Sequence, residues 1–280
     1  MRRAVLAVVV FLCLHVVLCA QAPISAKREH ATQTQKAEPA AGNAESAAFN
    51  VGKFPIGITF DGTNIWVANG GSNTVTKLRA SDGAVVGSFD VGKFPIGVAF
   101  DGLNIWVANG ESNNLMKLRA SDGAVLGSFN VGMKPSMLAF DGTNIWVVNR
   151  DSDTVSKLRA SDGASLGSFN VGKVPLCGAF DGANIWVTNS ESDNVMKLRA
   201  SDGAVLGNFK VGKAPGGVAF DGTNIWVTNE DSNNVMKLRA SDGAVLDTFT
   251  VGTLPLQVTF DGKNIWVTNG RSESVSKLKR

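Results

Sequence analysis

The chain has no tyrosine, and histidine is nearly as scarce: His15 and His30 are the only two in 280 residues. Everything after residue 30 therefore lacks the imidazole that most often serves as a base near neutral pH. Cysteine is also rare. Cys13 and Cys19 lie in an apolar leader, which leaves Cys177 alone in the rest of the chain. An exported chain with one cysteine is expected to hold no internal disulfide and to depend on packing. A strong charge of either sign is missing too. The 27 Lys and Arg against 24 Asp and Glu give +3, and loss of Arg2 and Arg3 with the leader leaves +3 − 2 = +1. Nothing in that balance points to nucleic acid or to a membrane surface.

Long apolar runs are absent except at the start, MRRAVLAVVVFLCLHVVLCA. Two arginines before such a run read as an export signal over 1–20. Leu18 stands where a small residue is preferred, both for cleavage after Ala20 and for lipidation of Cys19. A retained anchor is the alternative, since about 17 apolar residues barely span a bilayer. Residues 21–43 are rich in Ala, Gln, Glu and Lys without an aromatic, and are read as a flexible spacer. The expected location is secreted, periplasmic or cell-surface, of bacterial kind, with no membrane insertion after cleavage.

From Val51 onward the chain repeats every 40 residues without gaps: 51–90, 91–130, 131–170, 171–210, 211–250 and 251–280. Each copy carries four short runs rich in Val, Ile, Phe and Trp. In the fifth copy these are 217–220, 224–227, 234–238 and 244–249. Asp-Gly turns join the first run to the second and the third to the fourth, glycine supplying the positive φ of a tight hairpin. A period near 40 with four strands per unit predicts propeller blades. The sixth copy ends after its third strand, while Ala47-Ala48-Phe49-Asn50 matches the end of a fourth strand such as Ser128-Phe129-Asn130. Residues 41–280 then make 240, six times 40. The expected fold is all-β: a six-bladed β-propeller over 44–280, with four-stranded antiparallel blades and the ring closed by an N-terminal strand.

The repeated residues have structural readings. Trp66 and its five equivalents belong between neighbouring blades, with the phenylalanines that end the first and fourth strands. The Asn closing each second strand, Asn69 and its equivalents, is expected to bond turn backbone. Departures between copies gather in two links: that into each blade (53–57, 93–97, 133–137, 173–177, 213–217, 253–257) and that between second and third strands (70–73 and equivalents). Links alternate between the ends of an up-and-down sheet, so both lie on one face, and the nearly uniform Asp-Gly links lie on the other. Variable loops on a rigid ring are where scaffolds carry binding sites. The candidate ligand-binding residues are Phe54, Phe94, Lys134, Ser136, Met137, Arg150, Asp151, Cys177, Gln257 and Arg271. Phe54, Phe94, Met137, Leu176, Cys177 and Leu254 are placed toward the axis with Lys134, Ser136 and Gln257; an acidic rim of Glu111, Asp151, Asp153, Glu191, Asp193, Glu230, Asp231 and Glu273, with Arg150 and Arg271, is placed outside them. Those carboxylates lack the spacing of a calcium loop, so no metal site is assigned and a divalent cation is the only cofactor left to consider.

The stretch SNTVTKLRASDGAVVGSFDVGKFPIGVAFDGTNIWVAN (72–109) resembles the YVTN-type propeller repeat, with Trp-Val-Thr-Asn at 186–189, 226–229 and 266–269. The resemblance covers 41–280. It also looks like the streptogramin (virginiamycin B) lyase branch of that group. The group usually has seven blades, so six is a departure. The lyase resemblance implies a metal-assisted elimination that opens a lactone, with catalytic histidines. No histidine falls in the repeats, so no catalytic residue carries over. Cys177 as a nucleophile lacks a partner base. The expected function is a monomeric exported module that binds a protein, peptide or glycan on its variable face; the alternative is a metal-dependent lactone-opening or lyase-type enzyme.

Overall fold

The computed structural model describes residues 48–280. The expected signal (1–20), the expected spacer (21–43) and the expected start of the domain at 44–47 lie outside the described residues. Blade I is made of Pro55–Phe60, Asn64–Asn69, Thr74–Arg79 and Val85–Asp90, paired antiparallel in chain order. Blades II to V repeat it over 95–130, 135–170, 175–210 and 215–250, and blade VI has the three strands Pro255–Phe260, Asn264–Asn269 and Ser274–Lys279. The first strand of each of blades I to V packs on the first strand of the next blade, so these strands form the inner wall of a β-propeller. Each begins with a proline and shifts register just after it. Proline has no N–H for the ladder and is tolerated only at such a position.

The expected blades are thus present, and the repeated FDGTNIWVTN has a local explanation. In blade I the Asp61 carboxylate accepts the backbone N–H of Thr63 and Asn64, the Asn64 amide, and at 2.7 Å the indole N–H of Trp66. The same indole-to-carboxylate bond recurs in all five other blades. Tryptophan can thus be buried with its one polar atom satisfied. Trp66, Trp106, Trp146, Trp186 and Trp226 are at most 1% exposed. Trp66 packs with Ile105, Val107 and Leu118 of the next blade, as expected.

Three further contacts tie each of blades I to IV to the next. The Lys77 ammonium lies over Trp66 and donates to the Ala120 and Ser121 carbonyls of blade II at 2.7 and 3.1 Å, a pattern repeated by Lys117, Lys157 and Lys197. The Phe89 ring lies on Gly123, where any Cβ would strike it, as Phe129 lies on Gly163. Asn73 Oδ1 accepts the backbone N–H of Phe94, as Asp153 does that of Val174.

The seam between blades VI and I differs. Residues 48–50 form no strand, blade VI stays three-stranded, and the close first-strand packing of the other seams is not repeated there. Val275, Phe60 and Ile58 are 59%, 54% and 42% exposed. Phe49 nonetheless lies on Gly83 as Phe89 lies on Gly123.

Candidate functional site

The two variable links meet, as their alternation along the sheet requires. In blade I the N–H groups of Gly70 and Gly71 donate to the carbonyls of Phe54 and Lys53, and the Lys53 N–H donates to Ser72 Oγ. Every blade repeats this brace. It forces two residues per blade to positive φ: Phe54, Phe94, Lys134, Val174, Ala214 and Leu254 just before the proline, and Asn73, Asn113, Asp153, Asp193, Asn233 and Glu273 at the foot of the third strand. At the opposite end the Asp-Gly turns reach positive φ with glycine alone, at Gly62 and Gly83 in blade I. A side chain in this region costs roughly 1–2 kcal/mol, and Asn and Asp bear it most easily. Asn or Asp indeed fills five of the six positions at the foot of the third strand, but phenylalanine, lysine, valine and leucine stand before the proline.

The candidate residues divide by exposure. Phe54, Lys134, Asp151 and Arg271 are exposed, and Phe94 and Arg150 are half-buried. Ser136, Met137, Cys177 and Gln257 are built into the wall, at 1%, 5%, 1% and 8% exposure. Phe54 and Phe94 pair with ring centroids 6.0 Å apart, and Lys134 meets Asp151 at 3.3 Å. Ser136 Oγ donates to the Val148 carbonyl at 3.3 Å, and Gln257 Oε1 is buried without a partner. Cys177 is disulfide-bonded, which corrects the expectation of a lone thiol. A bonded sulfur offers no thiolate.

Arg150 and Glu230 also depart from their expected place on an outer rim. A Cβ on Gly70, Gly110 or Gly270 would meet the Cδ1 of Ile56, Ile96 or Leu256 at 2.8, 2.6 and 2.9 Å. Where the wall residue is small, as at Ser136 and Gly216, the loop position instead carries Arg150 or Glu230. Bulk is exchanged between two touching positions, so these charged side chains grow inward. Arg150 Nε is buried without a hydrogen bond, and Glu230 is 2% exposed.

The Asn ending each second strand is fully buried in blades I to V and bonds mainly third-strand side chains, with the expected link backbone as partner in blade IV alone among the described bonds. Asn69 Nδ2 donates to the hydroxyls of Thr74 and Thr76, and Asn109 Nδ2 to Asn114 Oδ1. In blade IV, Asn189 Oδ1 also accepts the Gly172 N–H. The acidic rim is partly engaged: Asp153 and Asp193 pair with Lys173 and Lys213 at 2.6 Å each. The Lys173 ammonium, foremost by its hydrogen bond, holds the Asp153 carboxyl below its ordinary value, and Lys213 does the same for Asp193. Among the described residues no three His, Cys, Asp or Glu side chains converge as a metal site.

One cleft on this face escaped the sequence reading. It has a volume of about 450 Å³ and is lined by Ser192, Asp193, Asn194, Asn208, Lys210 and Lys213, at the outer corner of blade IV. Its sequence signal was available. Asn208 stands where other blades have Ser88, Ser128, Ser168 and Thr248, and Lys210 where they have Asp90, Asn130, Asn170 and Thr250.

No protein-family model matches the chain, and no curated protein does. Solved structures do. A catalytically inactive virginiamycin B lyase from Staphylococcus aureus with quinupristin superposes with a TM-score of 0.71 at 17% identity, over 82% of each chain. A streptogramin B lyase gives 0.68 at 18%, over 82% of this chain and 84% of that one. A functionally unknown protein from Desulfotomaculum acetoxidans gives 0.69 at 14%, over 82% and 84%. At such identities the likeness is one of fold.

Proposed function

We propose that the chain is an exported, monomeric six-bladed propeller that recognises a protein, peptide or glycan on the face of its variable links. One observation carries the reading. The face with uniform turns reaches positive φ with glycine, whereas the variable face keeps phenylalanine, lysine, valine, alanine and leucine at φ of 47–58°. Strain held against an available glycine, on one face only, is a mark of side chains retained for what they touch. The Phe54–Phe94 pair, with Phe54 exposed, and the polar groups of Lys134, Arg150 and Arg271 supply contacts for such a partner.

The reading includes a closed ring. Phe49 on Gly83 supports it, since that is where the outer strand of a preceding blade places its phenylalanine. Transferred to blade VI, the register that pairs Val75 with Phe89 sets Phe49 opposite Val275.

The test is binding of the full chain to arrays of peptides and glycans. Lys134→Glu with Arg271→Glu should weaken capture at least tenfold at unchanged melting temperature, and Lys263→Glu on the opposite face should leave it intact. Equal effects from both faces would overturn the assignment. The likeness to two streptogramin B-type lyases motivates a second reading, a metal-dependent lactone-opening enzyme. It requires one tightly bound divalent ion per chain in calorimetric titration with calcium, magnesium or zinc, and it fails without one.

A further inference from the structure

The cleft at the outer corner of blade IV combines a shape with a chemistry. Strand pairing sets Asn194 directly opposite Lys210, and Asn208, two residues along the outer strand, shares their face. Ser192, Asp193 and Lys213 enter from the adjoining links. Not one lining side chain is aromatic or aliphatic. An apolar ligand would gain nothing there, whereas one covered with hydroxyls would find donors and acceptors along the wall.

The polar groups are already sorted. Asn194 Oδ1 accepts from Asn189 Nδ2 at 2.7 Å, so its own amide N–H groups remain to donate. Ser192 Oγ accepts the Lys173 N–H at 2.8 Å and keeps its proton to give. Asp193 is engaged twice, by the Lys213 ammonium at 2.6 Å and the Ala214 N–H at 3.0 Å. Lys210 is left as the uncompensated cation, so the cleft carries one net positive charge. Its Coulombic field acts on Asp193 together with that of Lys213.

The other blades serve as controls within the molecule. Blade III has the same Asp and Lys at Asp153 and Lys173, ion-paired at the same 2.6 Å, but Ser168 and Asn170 where blade IV has Asn208 and Lys210. Blade I has an acid, Asp90, at the lysine position. The scaffold thus accepts serine, asparagine or aspartate there, and the blade IV pair is no requirement of folding.

We propose that this corner binds an acidic saccharide: a polyhydroxylated ring whose carboxylate or sulfate meets Lys210 while its hydroxyls engage Asn194, Asn208 and Ser192. The proposal rests on the variable face being the recognition face and names one ligand class for it. The cleft is a shallow one that faces solvent over most of its mouth. Its openness to water makes weak, salt-sensitive binding the expectation.

The experiment is a titration of the full chain, followed by NMR at low salt, with glucuronate, glucose and inorganic sulfate in parallel. Glucuronate should bind at least tenfold more tightly than either of the others. The double variant Asn208→Ser, Lys210→Asn, which writes the blade III residues into blade IV, should abolish that preference without shifting the melting temperature. Lys210→Asp, the blade I residue, should do the same. Sulfate binding as tightly as glucuronate reduces the site to an anion contact and overturns the saccharide assignment, as does glucose binding equally well. An undiminished response in the double variant overturns the site itself. Failure here with intact dependence on Lys134 and Arg271 would leave the recognition face standing elsewhere; loss of both would remove it.

Discussion

A single aspartate per blade organises the repeated decapeptide. In blades I, V and VI its carboxyl is held below its ordinary value. For Asp61 and Asp221 burial alone would raise it, but hydrogen bonds from the tryptophan indole and from two backbone N–H groups outweigh that cost. For Asp261 the Trp266 indole is the leading cause. A carboxyl with its folded value below its unfolded one stabilises fully above the ordinary pKa of about 3.9, and the contribution fades as pH falls from there through the depressed value. The melting temperature should therefore stay level from about pH 8 to 5 and fall steeply below about pH 4. Trp226→Phe removes the indole donor from a carboxylate that is 1% exposed. It should cost about 1–3 kcal/mol at neutral pH. It should also shrink Asp221's share of the acid decline and end it at a higher pH, because the folded value moves up toward the unfolded one, and melts of both proteins across that range would show it. Identical pH profiles would mean that the indole bond does not set the carboxyl's state.

Strands and turns were legible in the sequence to within two residues. The runs at 217–220, 224–227, 234–238 and 244–249 became Pro215–Phe220, Asn224–Asn229, Asn234–Arg239 and Val245–Thr250. Apolar alternation and Asp-Gly turns carry that information directly. The braced links were not legible, because nothing in a Lys-Phe-Pro or Met-Lys-Pro tripeptide announces a left-handed residue before the proline. Lys77 and its equivalents were missed because lysine in an amphipathic strand reads as surface, yet Lys77, Lys117, Lys157 and Lys197 are buried over tryptophan. Of the candidate residues, Phe54, Lys134, Asp151 and Arg271 are exposed on the links. Ser136, Met137, Cys177 and Gln257 went into the wall because the first strand begins before them. The strain is open to test. Lys134 is exposed at φ 47° and its ion pair with Asp151 is exposed too, so that pair is worth little. Lys134→Asn should thus raise stability by up to about 1 kcal/mol, since asparagine tolerates this conformation. A lower melting temperature would show that the lysine side chain contributes more than the backbone strain costs.

On the scale of the whole molecule the seam decides whether the sheets form an arc or a ring. Counting residues foresaw six sheets, because 40-residue copies can be counted; it could not show whether the two ends meet, because that depends on one short segment. At a closed seam three open positions would find partners: Trp266 a ring in Phe49, Lys277 the carbonyls of Ala80 and Ser81, and Val275 a neighbouring strand. The tryptophan and valine inferences follow from the residues one blade earlier, and the lysine inference from Lys197, two blades earlier. Cysteines at Ala48 and Ser276, opposite one another in that register, should form a disulfide under mild oxidation and raise the melting temperature. Such a bridge typically adds about 2–4 kcal/mol. Cross-linking only between separate chains would place the N-terminal strand on a neighbouring molecule.

The contacts between blades also have a direction. Lysine, asparagine or aspartate, and the outer phenylalanine each reach from one blade to the backbone of the blade that follows it in the chain. A polypeptide that emerges with its N terminus leading therefore presents every new blade to one already waiting with its side chains in place. Order of synthesis and order of assembly coincide, and no finished blade needs to be reopened to admit a later one. In a closed ring, blade I alone would wait for the final residues. A chain halted one blade short would leave lysine, tryptophan and an open strand edge exposed together, a combination that proteases and chaperones can read as unfinished.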